Sequence, residues 1–248
     1  MDFREKIAAL KEQKRAVILA HYYTSAEVQQ VADFVGDSLA LSQKAAGVDA
    51  DIILFAGVRF MAETAKVLSP DKKVLLPVTE AGCSLADSCD AAELAKARRE
   101  NPDHLVVSYV NTSVEVKALT DICCTSSNAL DIIGALPKDQ KILFVPDRNL
   151  GSYINRCMER DMKLWNGCCL VHEEFSVEKI ADLKALHPKA VVLVHPECKP
   201  EVVAMADYAG STAGILAYCG REDVEEVIVV TESGILYEME SRYPNKKF

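Results

Sequence analysis

Residues 16–38 read AVILAHYYTSAEVQQVADFVGDS, and residues 190–212 read AVVLVHPECKPEVVAMADYAGST. Each stretch opens with an apolar run that ends in a histidine, and each then carries three polar residues at identical spacing. A third copy, VVSYVNTSVEVKALTDICCTS, occupies residues 106–126. The recurring polar residues are Glu27, Asp33 and Ser38, then Glu115, Asp121 and Ser126, then Glu201, Asp207 and Thr212. Self-similarity at a fixed interval indicates internal repetition, so we predict three copies of one structural unit.

The interval between copies is 88 residues from Glu27 to Glu115 and 86 residues from Glu115 to Glu201. Amphipathic helices alternate with apolar strands in each copy, which predicts parallel βαβ units. The strands read as uninterrupted apolar runs, as expected for sheets that are covered on both faces. We therefore predict an α/β fold of three pseudo-threefold related, three-layer αβα domains with parallel sheets, over residues 1–86, 87–172 and 173–248.

The net charge and the distribution of apolar residues exclude some classes of function. The chain has 248 residues and a formal net charge of −9, with acidic and basic residues mixed throughout. This charge argues against a nucleic-acid-binding surface, and it means that local donors would have to hold an anionic substrate. The sequence shows neither a secretory signal pattern nor an apolar run of about 18 residues. We therefore predict a cytoplasmic protein that binds neither nucleic acid nor membrane.

Nine cysteines are a high count, but their odd number and two adjacent pairs argue against a disulfide framework. Cys83 and Cys169 are 86 residues apart, and each follows the final strand of its copy. Residues 244–248, PNKKF, align with residues 70–74, PDKKV, so a third equivalent cysteine is expected beyond Phe248. Three such cysteines would hold three corners of an iron–sulfur cluster and leave one iron open. The others are assigned to packing: Cys89, Cys123, Cys124, Cys157, Cys168, Cys198 and Cys219.

Polar residues gather at the carboxyl ends of the predicted long strands, where parallel α/β sheets bind ligands. They are His21 and Tyr23 in the first copy, Tyr109 and Asn111 in the second, and His195 and Glu197 in the third. Arg59, Met61 and Arg148 also lie just beyond strand ends. Each arginine is interpreted either as a phosphate partner or as an inter-domain salt bridge, and Trp165 is assigned to the core.

The recurring hydroxyl residues, Ser38, Ser126 and Thr212, are predicted to lie at or near helix starts. A helix N-terminus presents unpaired N–H groups and positive partial charge, so three equivalent hydroxyls suggest one anion site shared by three domains. The alternative is that each hydroxyl is a plain N-cap. The recurring glutamates are expected in first helical turns, where their negative charge stabilises the positive end of the helix dipole. The recurring aspartates open short strands and are predicted to be structural.

Longer strings in the chain resemble the quinolinate synthase family, the A protein of bacterial and archaeal NAD biosynthesis. The similarity runs from about residue 15 to the end. The matching motifs are AHYYTSAEVQQVADFVGDSLALS, AGVRFMAETAKVLSP, VVSYVNTSVEVKALTDICCTSSNA, ILFVPDRNLGSYI, CCLVHEEF and LVHPECKPEVVAMADYAGST. Strings of this length and variety are highly specific.

The resemblance implies an enzyme that condenses iminoaspartate with dihydroxyacetone phosphate to give quinolinate, phosphate and water. It implies a [4Fe–4S] cluster that acts as a Lewis acid and is held by Cys83, Cys169 and a cysteine beyond Phe248; the C-x-V-H motif selects Cys169 over Cys168. The implied partner is L-aspartate oxidase or dehydrogenase, which would supply iminoaspartate. The implied catalytic residues are His21, Tyr23, Tyr109, His172 and Glu197, and the implied substrate-binding residues are His21, Ser38, Tyr109, Asn111, Ser126, His195, Glu197, Ser211 and Thr212.

Glu197 is expected to act as a general base. Pro196 fixes its own φ and restricts His195, so the side chains on both sides should be aimed reproducibly. Burial in a closed pocket is expected to raise the pKa of Glu197 towards the working range of a base. The alternative is a carboxylate that caps the helix at Glu201.

Two other classes of function remain open. The first is a zinc protein that uses the same cysteines with His172 or His195, because zinc favours mixed Cys/His tetrahedra. The second is a non-catalytic triple-repeat sensor of small dicarboxylates, which would bind anions at helix N-termini without turnover or metal.

Overall fold

The protein is described here by a computed structural model that covers residues 2–248. The chain divides into two compact units; the first ends at Cys83 and the second runs Ser84–Phe248. None of the helices formed by residues 2–248 is both long enough and apolar enough to cross a membrane.

The first unit is built on one four-stranded sheet. Its elements are α1 (Phe3–Lys14), β1 (Ala16–His21), α2 (Ala26–Val31), β2 (Phe34–Gly36), α3 (Ser38–Gly47), β3 (Ile52–Ala56), α4 (Arg59–Leu68) and β4 (Lys73–Leu75). The strand order is β2-β1-β3-β4, and every pair is parallel. The central strand β1 is buried along nearly its whole length, as its apolar run predicts.

The second unit carries two further sheets. Around the first of them lie α5 (Ser84–Asp87), α6 (Ala91–Glu100), β5 (Leu105–Tyr109), α7 (Val114–Lys117), β6 (Ile122–Cys124), α8 (Ala129–Ala135), β7 (Ile142–Val145), α9 (Arg148–Met158) and β8 (Lys163–Leu164). Around the second lie α10 (Leu170–Glu173), α11 (Val177–Leu186), β9 (Val191–Val194), α12 (Pro200–Val203), β10 (Tyr208–Ala209), α13 (Thr212–Tyr218), β11 (Val227–Val230) and α14 (Ile235–Arg242). The strand orders are β6-β5-β7-β8 and β10-β9-β11, again all parallel.

The first three strands of each copy have the same order in all three sheets, which confirms the predicted α/β fold of repeated three-layer αβα units. The last repeat also matches the first in detail. The Lys247 N–H donates to the Glu225 carbonyl over 3.0 Å, as the Lys73 N–H donates to the Asp51 carbonyl over 3.0 Å. This pairing supports the alignment of PNKKF with PDKKV. The domain boundaries after residues 86 and 172 stay predictions.

The recurring aspartates are structural, as predicted. Oδ2 of each accepts a backbone N–H from the central strand of its sheet over 2.8 Å: Asp33 from Ile18, Asp121 from Val106, and Asp207 from Val192. The N–H of each aspartate returns a bond to the carbonyl of the same strand residue. A basic residue of the preceding amphipathic helix completes each clamp, as Lys11–Asp33, Arg98–Asp121 and Lys184–Asp207. The clamp therefore ties a helix and a short strand to the sheet centre.

Four of the seven cysteines assigned to packing are buried, namely Cys89, Cys124, Cys198 and Cys219. The assignment was wrong for Cys123 and Cys157, which are exposed, while Cys168 is half-buried. Cys123 lies on the edge strand β6 and Cys157 in the last turn of α9, where neither element is covered along its whole surface. No disulfide bond joins any of the cysteines within residues 2–248. Trp165 packs half-buried against the second sheet, and its indole N–H donates to the Ser88 carbonyl over 2.9 Å.

Candidate active site

The centre of the site is the buried carboxylate of Glu197, which lies in the turn after β9. The hydroxyl of Tyr109, the last residue of β5, donates to Oε1 of Glu197 over 2.6 Å. Nδ1 of His172, on α10, lies 3.2 Å from Oε2, and Nδ1 of His195 lies 3.8 Å from Oε1. All four side chains are almost fully buried. The second unit therefore brings together four of the predicted site residues, from the ends of two different sheets.

The electrostatic state of Glu197 differs from the expectation. Burial by itself raises the pKa of a carboxyl group, and it is the largest single influence on Glu197. The charge and hydrogen bond of His172, together with the hydrogen bond from the Tyr109 hydroxyl, outweigh it. They hold the pKa of Glu197 well below its ordinary value, so the predicted rise was wrong. The N-cap of α12 is Lys199, without a side-chain capping bond, so Glu197 is not the cap of the helix at Glu201.

The two histidines are oriented by hydroxyl groups on their far sides. Nε2 of His172 lies 3.0 Å from Oγ1 of Thr231, which directly follows β11. Nε2 of His195 lies 3.3 Å from Oγ of Ser126. The rings stand 4.9 Å apart, centre to centre. Thr231 was missed from the sequence, although its place at the carboxyl end of an apolar strand was a usable signal.

The first turn of α9 also contacts the site through Asn149, a residue that was not predicted from the sequence. Nδ2 of Asn149 donates to the main-chain carbonyl of Glu197 over 2.9 Å and to Oε1 of Glu173 over 2.8 Å. Nη2 of Arg148 donates to the same Glu173 oxygen over 3.2 Å. Arg148 therefore forms an ion pair with Glu173, whereas the ion pair of Arg59 with Glu63 lies one turn along α4, within a single helix and not between domains. The signal for Asn149 was the motif ILFVPDRNLGSYI, which contains it.

Two buried oxygen atoms in the second unit lack a hydrogen-bond partner among the described residues. One is Oδ1 of Asn111, in the turn after β5, and the other is Oδ2 of Asp147. Oδ1 of Asp147 accepts the Leu150 N–H over 2.7 Å and caps α9. Burial, together with the charge of Glu197, raises the pKa of Asp147 well above its ordinary value. An unpaired buried acceptor is costly, so each of these oxygens has capacity for a further ligand.

The turn around Glu197 has a counterpart in the first unit. Nδ1 of His195 accepts the Glu197 N–H over 3.3 Å, and Nδ1 of His21 accepts the Tyr23 N–H over 3.2 Å. Each histidine therefore fixes the residue two positions later. The predicted site residues that belong to the first unit are His21, Tyr23, Ser38 and Cys83.

The recurring hydroxyls are not the N-caps. Ser38 and Thr212 are the first residues of α3 and α13, and the capping side chains belong to Asp37 and Ser211 just before them. Oγ of Ser211 accepts the Gly214 N–H over 3.1 Å. Ser126 lies in the turn that precedes α8. The plain-cap alternative is therefore wrong for Ser38 and Thr212.

One group of donor atoms has the spacing of a metal site. Sγ of Cys169, a ring nitrogen of His172 and a carboxylate oxygen of Glu197 all lie within 4.8 Å of one another. Cys169 directly precedes α10 and is half-buried, with Sγ 3.1 Å from Nδ1 of His172. Cys83 stands at the equivalent place before α5 and is also half-buried. The Leu170 N–H, directly after Cys169, lies 3.5 Å from Oγ of Ser84, directly after Cys83.

Comparison with known proteins shows the family of the chain. Residues 5–248 match the family described as NadA, the quinolinate synthetase A protein. The chain belongs to the quinolinate synthase family. Curated relatives named quinolinate synthase include those of Synechocystis sp., 54% identical over 247 residues, and Trichodesmium erythraeum, 53% identical over 247 residues. The match covers all of this chain, 78% of the first relative and 76% of the second. The chain is therefore an enzyme of NAD biosynthesis.

Proposed function

We propose that this chain condenses iminoaspartate with dihydroxyacetone phosphate to give quinolinate, phosphate and water. The observation that carries the proposal is the buried cluster of Tyr109, His172, His195 and Glu197 next to Cys169. Phosphate loss, ketose–aldose isomerisation, imine formation and dehydration all move protons, so they require positioned acids and bases. The proposed location is the cytoplasm, and the proposed source of iminoaspartate is L-aspartate oxidase or dehydrogenase.

Glu197 and Tyr109 would share the proton transfers. Once Glu197 has taken a proton from the substrate, it can pass a proton to the Tyr109 oxygen while the Tyr109 hydroxyl gives its own proton to a departing oxygen, because the two oxygens are already hydrogen-bonded at 2.6 Å. Glu197 is ionised and can accept a proton from a substrate carbon. His172 supports this role by holding Oε2, while Thr231 holds the opposite edge of its ring.

The donor set fits an iron–sulfur cluster. Cys83 and Cys169 occupy equivalent places before α5 and α10, both are half-buried, and thiolates are the ordinary ligands of such clusters. We propose that these two residues hold two corners of a [4Fe–4S] cluster and that a cysteine beyond Phe248 holds the third. When bound, the cluster supplies a Lewis acid for a hydroxyl group that leaves as water.

The anionic groups of the substrates would rest on the recurring hydroxyls, Ser38, Ser126 and Thr212. Asn111 adds a buried oxygen without a protein partner in residues 2–248, and this oxygen can accept a substrate N–H or O–H. Each hydroxyl-to-alanine change is expected to weaken binding of a dicarboxylate product analogue by about 1.5 kcal/mol, as for a hydrogen bond to a charged group. Crystals soaked with the analogue would place it directly, and density remote from these hydroxyls would exclude a shared site.

The direct test is quinolinate formation by the anaerobically reconstituted protein. It is supplied with dihydroxyacetone phosphate and with iminoaspartate generated in the assay from oxaloacetate and ammonia. Quinolinate and phosphate should appear in equal amounts. A protein that bound the product analogue without turning over substrates would instead support the sensor alternative.

A zinc site is the second candidate, because Cys169, His172 and Glu197 provide mixed donor atoms within 4.8 Å of one another. Metal analysis separates the two. Protein purified without oxygen should contain about four irons per chain and absorb broadly in the visible range, as an iron–sulfur protein does. A colourless protein with one zinc per chain would favour the second candidate.

A further inference from the structure

Asn149 is the residue outside the assigned site that makes the closest polar contact with Glu197. It is the second residue of α9, and its side chain is almost fully buried. Its amide nitrogen makes two hydrogen bonds, one to the main-chain carbonyl of Glu197 and one to Oε1 of Glu173. The amide thus joins the start of one helix to the turn that carries the catalytic carboxylate.

The orientation of this amide follows from its partners. A main-chain carbonyl and a carboxylate are both acceptors, so only the NH₂ group can face them. Both of its N–H bonds are used, at 2.9 Å and 2.8 Å. Asp147 caps α9 and holds the first turn in place, while Arg148 holds Glu173 from the other side.

The turn is held locally and by β11, since the His195 N–H donates to the Val230 carbonyl over 3.1 Å. It spans four residues, and the main-chain bond that closes it runs from the Cys198 N–H to the His195 carbonyl over 3.0 Å. The Glu197 carbonyl takes no part in that bond and accepts an N–H from the Asn149 side chain over 2.9 Å. A shift of this carbonyl would rotate the Glu197 side chain relative to the Tyr109 hydroxyl and His172.

We propose that Asn149 is a positioning residue, which fixes the main chain of Glu197 and thereby aims its carboxylate at the reacting atoms. This inference rests on the proposed function, since it assigns Asn149 to the same reaction. A misplacement of about 1 Å at a catalytic group can cost on the order of a hundredfold in rate. Asn149 acts through Glu197 and does not itself need to contact substrate.

The test compares isosteric and matched variants of the holoenzyme. Asn149→Asp keeps the shape but turns the donor into an acceptor that repels both partners. Asn155→Ala is the matched control. Asn155 lies on the same helix, about 9 Å along its axis from Asn149. Its side chain also hydrogen-bonds main-chain atoms, those of Met162. Asn149→Ser retains one donor and serves if the aspartate variant folds poorly.

The expected result is a selective loss of turnover. In Asn149→Asp, kcat per cluster should fall by about tenfold or more while KM stays within about threefold. Crystals of the variant should show the Glu197 carbonyl displaced by more than about 0.5 Å. Asn155→Ala should keep the parental kcat despite a lower melting temperature.

A double variant separates positioning from simple structural support. Asn149→Asp with Glu173→Gln restores a bond between positions 149 and 173, because the glutamine can donate, but it restores no donor to the Glu197 carbonyl. The double variant should therefore remain slow. Full recovery of kcat in it, parental kcat in Asn149→Asp, or an unmoved carbonyl would each overturn the proposal. If the parent itself made no quinolinate, the proposed function would fail, and the crystals would still decide whether Asn149 positions Glu197.

Discussion

The Tyr109 hydroxyl donates a 2.6 Å hydrogen bond to Glu197, although the two residues are 88 positions apart in the chain. Tyr109 ends the central strand of one sheet, and Glu197 follows the central strand of the next. Both are buried, and a hydrogen bond to an ionised acceptor in such a place is short and strong. The repeat therefore builds its reactive pair from non-equivalent positions of neighbouring copies.

Removing the phenolic hydroxyl tests this pair. Tyr109→Phe should lower kcat by about a hundredfold, because it removes a proton donor and one of the groups that hold Glu197 ionised. Quinolinate production under saturating substrates is the measurement. Tyr153→Phe removes a hydroxyl that bonds the Ala209 carbonyl, and this control should keep its turnover. Equal rates in parent and Tyr109→Phe would contradict the assignment.

Glu197→Gln should cut turnover by about a hundredfold or more while iron content and fold persist.

The lowered pKa of Glu197 also has a consequence for the pH dependence of stability. Because the folded pKa of Glu197 lies below the ordinary 4.5, its ionisation stabilises the fold above that pH, and the contribution is lost as the pH falls further. The parent should therefore lose more stability than Glu197→Gln below about pH 4.5. Melting temperatures of the parent and Glu197→Gln measured from about pH 7 to about pH 3 provide the test, with the exposed Glu201→Gln as the control. If the parent lost no more stability than Glu197→Gln below about pH 4.5, the lowered pKa of Glu197 would be contradicted.

Asp147 should show the opposite pH dependence. Its folded pKa is raised above 3.8, so the folded protein loses stability as the pH rises from that value through the folded pKa. Asp147→Asn keeps an oxygen for the Leu150 N–H but does not titrate. The variant should gain in melting temperature over the parent on going from about pH 4 to about pH 8. A constant difference across that range would mean that Asp147 has an ordinary pKa.

The cluster assignment is tested by the cysteines. Cys83→Ala and Cys169→Ala should each bind iron poorly after anaerobic reconstitution and should lose activity, because each removes a thiolate ligand. Cys168→Ala is the matched control, since Cys168 is adjacent to Cys169 and equally half-buried. Iron and sulfide assays with visible absorption provide the readout. A full complement of about four irons in either first variant would remove that residue from the ligand set.

The aspartate clamps predict stability effects without direct effects on chemistry. Asp121→Ala removes the acceptor of the Val106 N–H and the partner of Arg98. The free energy of unfolding should fall by about 2 kcal/mol, as for a hydrogen bond to a charged group. Denaturant unfolding of Asp121→Ala beside the exposed Asp139→Ala measures the difference. A loss of similar size in both would mean that the clamp contributes nothing specific.

Much of the fold could be predicted because it depends on contacts that are close in sequence. The capping of α1 at Asp2, with Glu5 bonding back to the Asp2 N–H, follows from residues three positions apart. Fifteen positions separate Asp33 from its partner Ile18, and the same interval recurs in each copy. Such features repeat with the sequence, so the three copies predicted the strands, the helices and a structural role for the recurring aspartates, whereas their ion pairs came from the structure.

The chemistry of the site could be predicted only in part. The residue types at strand ends pointed to Tyr109, His195 and Glu197, because parallel sheets place those ends where ligands bind. Asn149 lies on a helix and could not be selected in this way, and Thr231 was missed although it also follows a strand. Each is an ordinary polar residue whose importance lies in one contact to a residue 59 or 48 positions distant.

The pKa of Glu197 shows where local reasoning stops. The sequence by itself determined that the glutamate follows a buried strand and a His-Pro pair, and burial alone would raise its pKa. The tertiary structure decided the opposite outcome, because it brings the His172 ring and the Tyr109 hydroxyl to the two carboxylate oxygens. Coulomb attraction and hydrogen bonding act through space over a few ångströms. Their balance against burial is therefore fixed by the folded chain and not by the order of its residues.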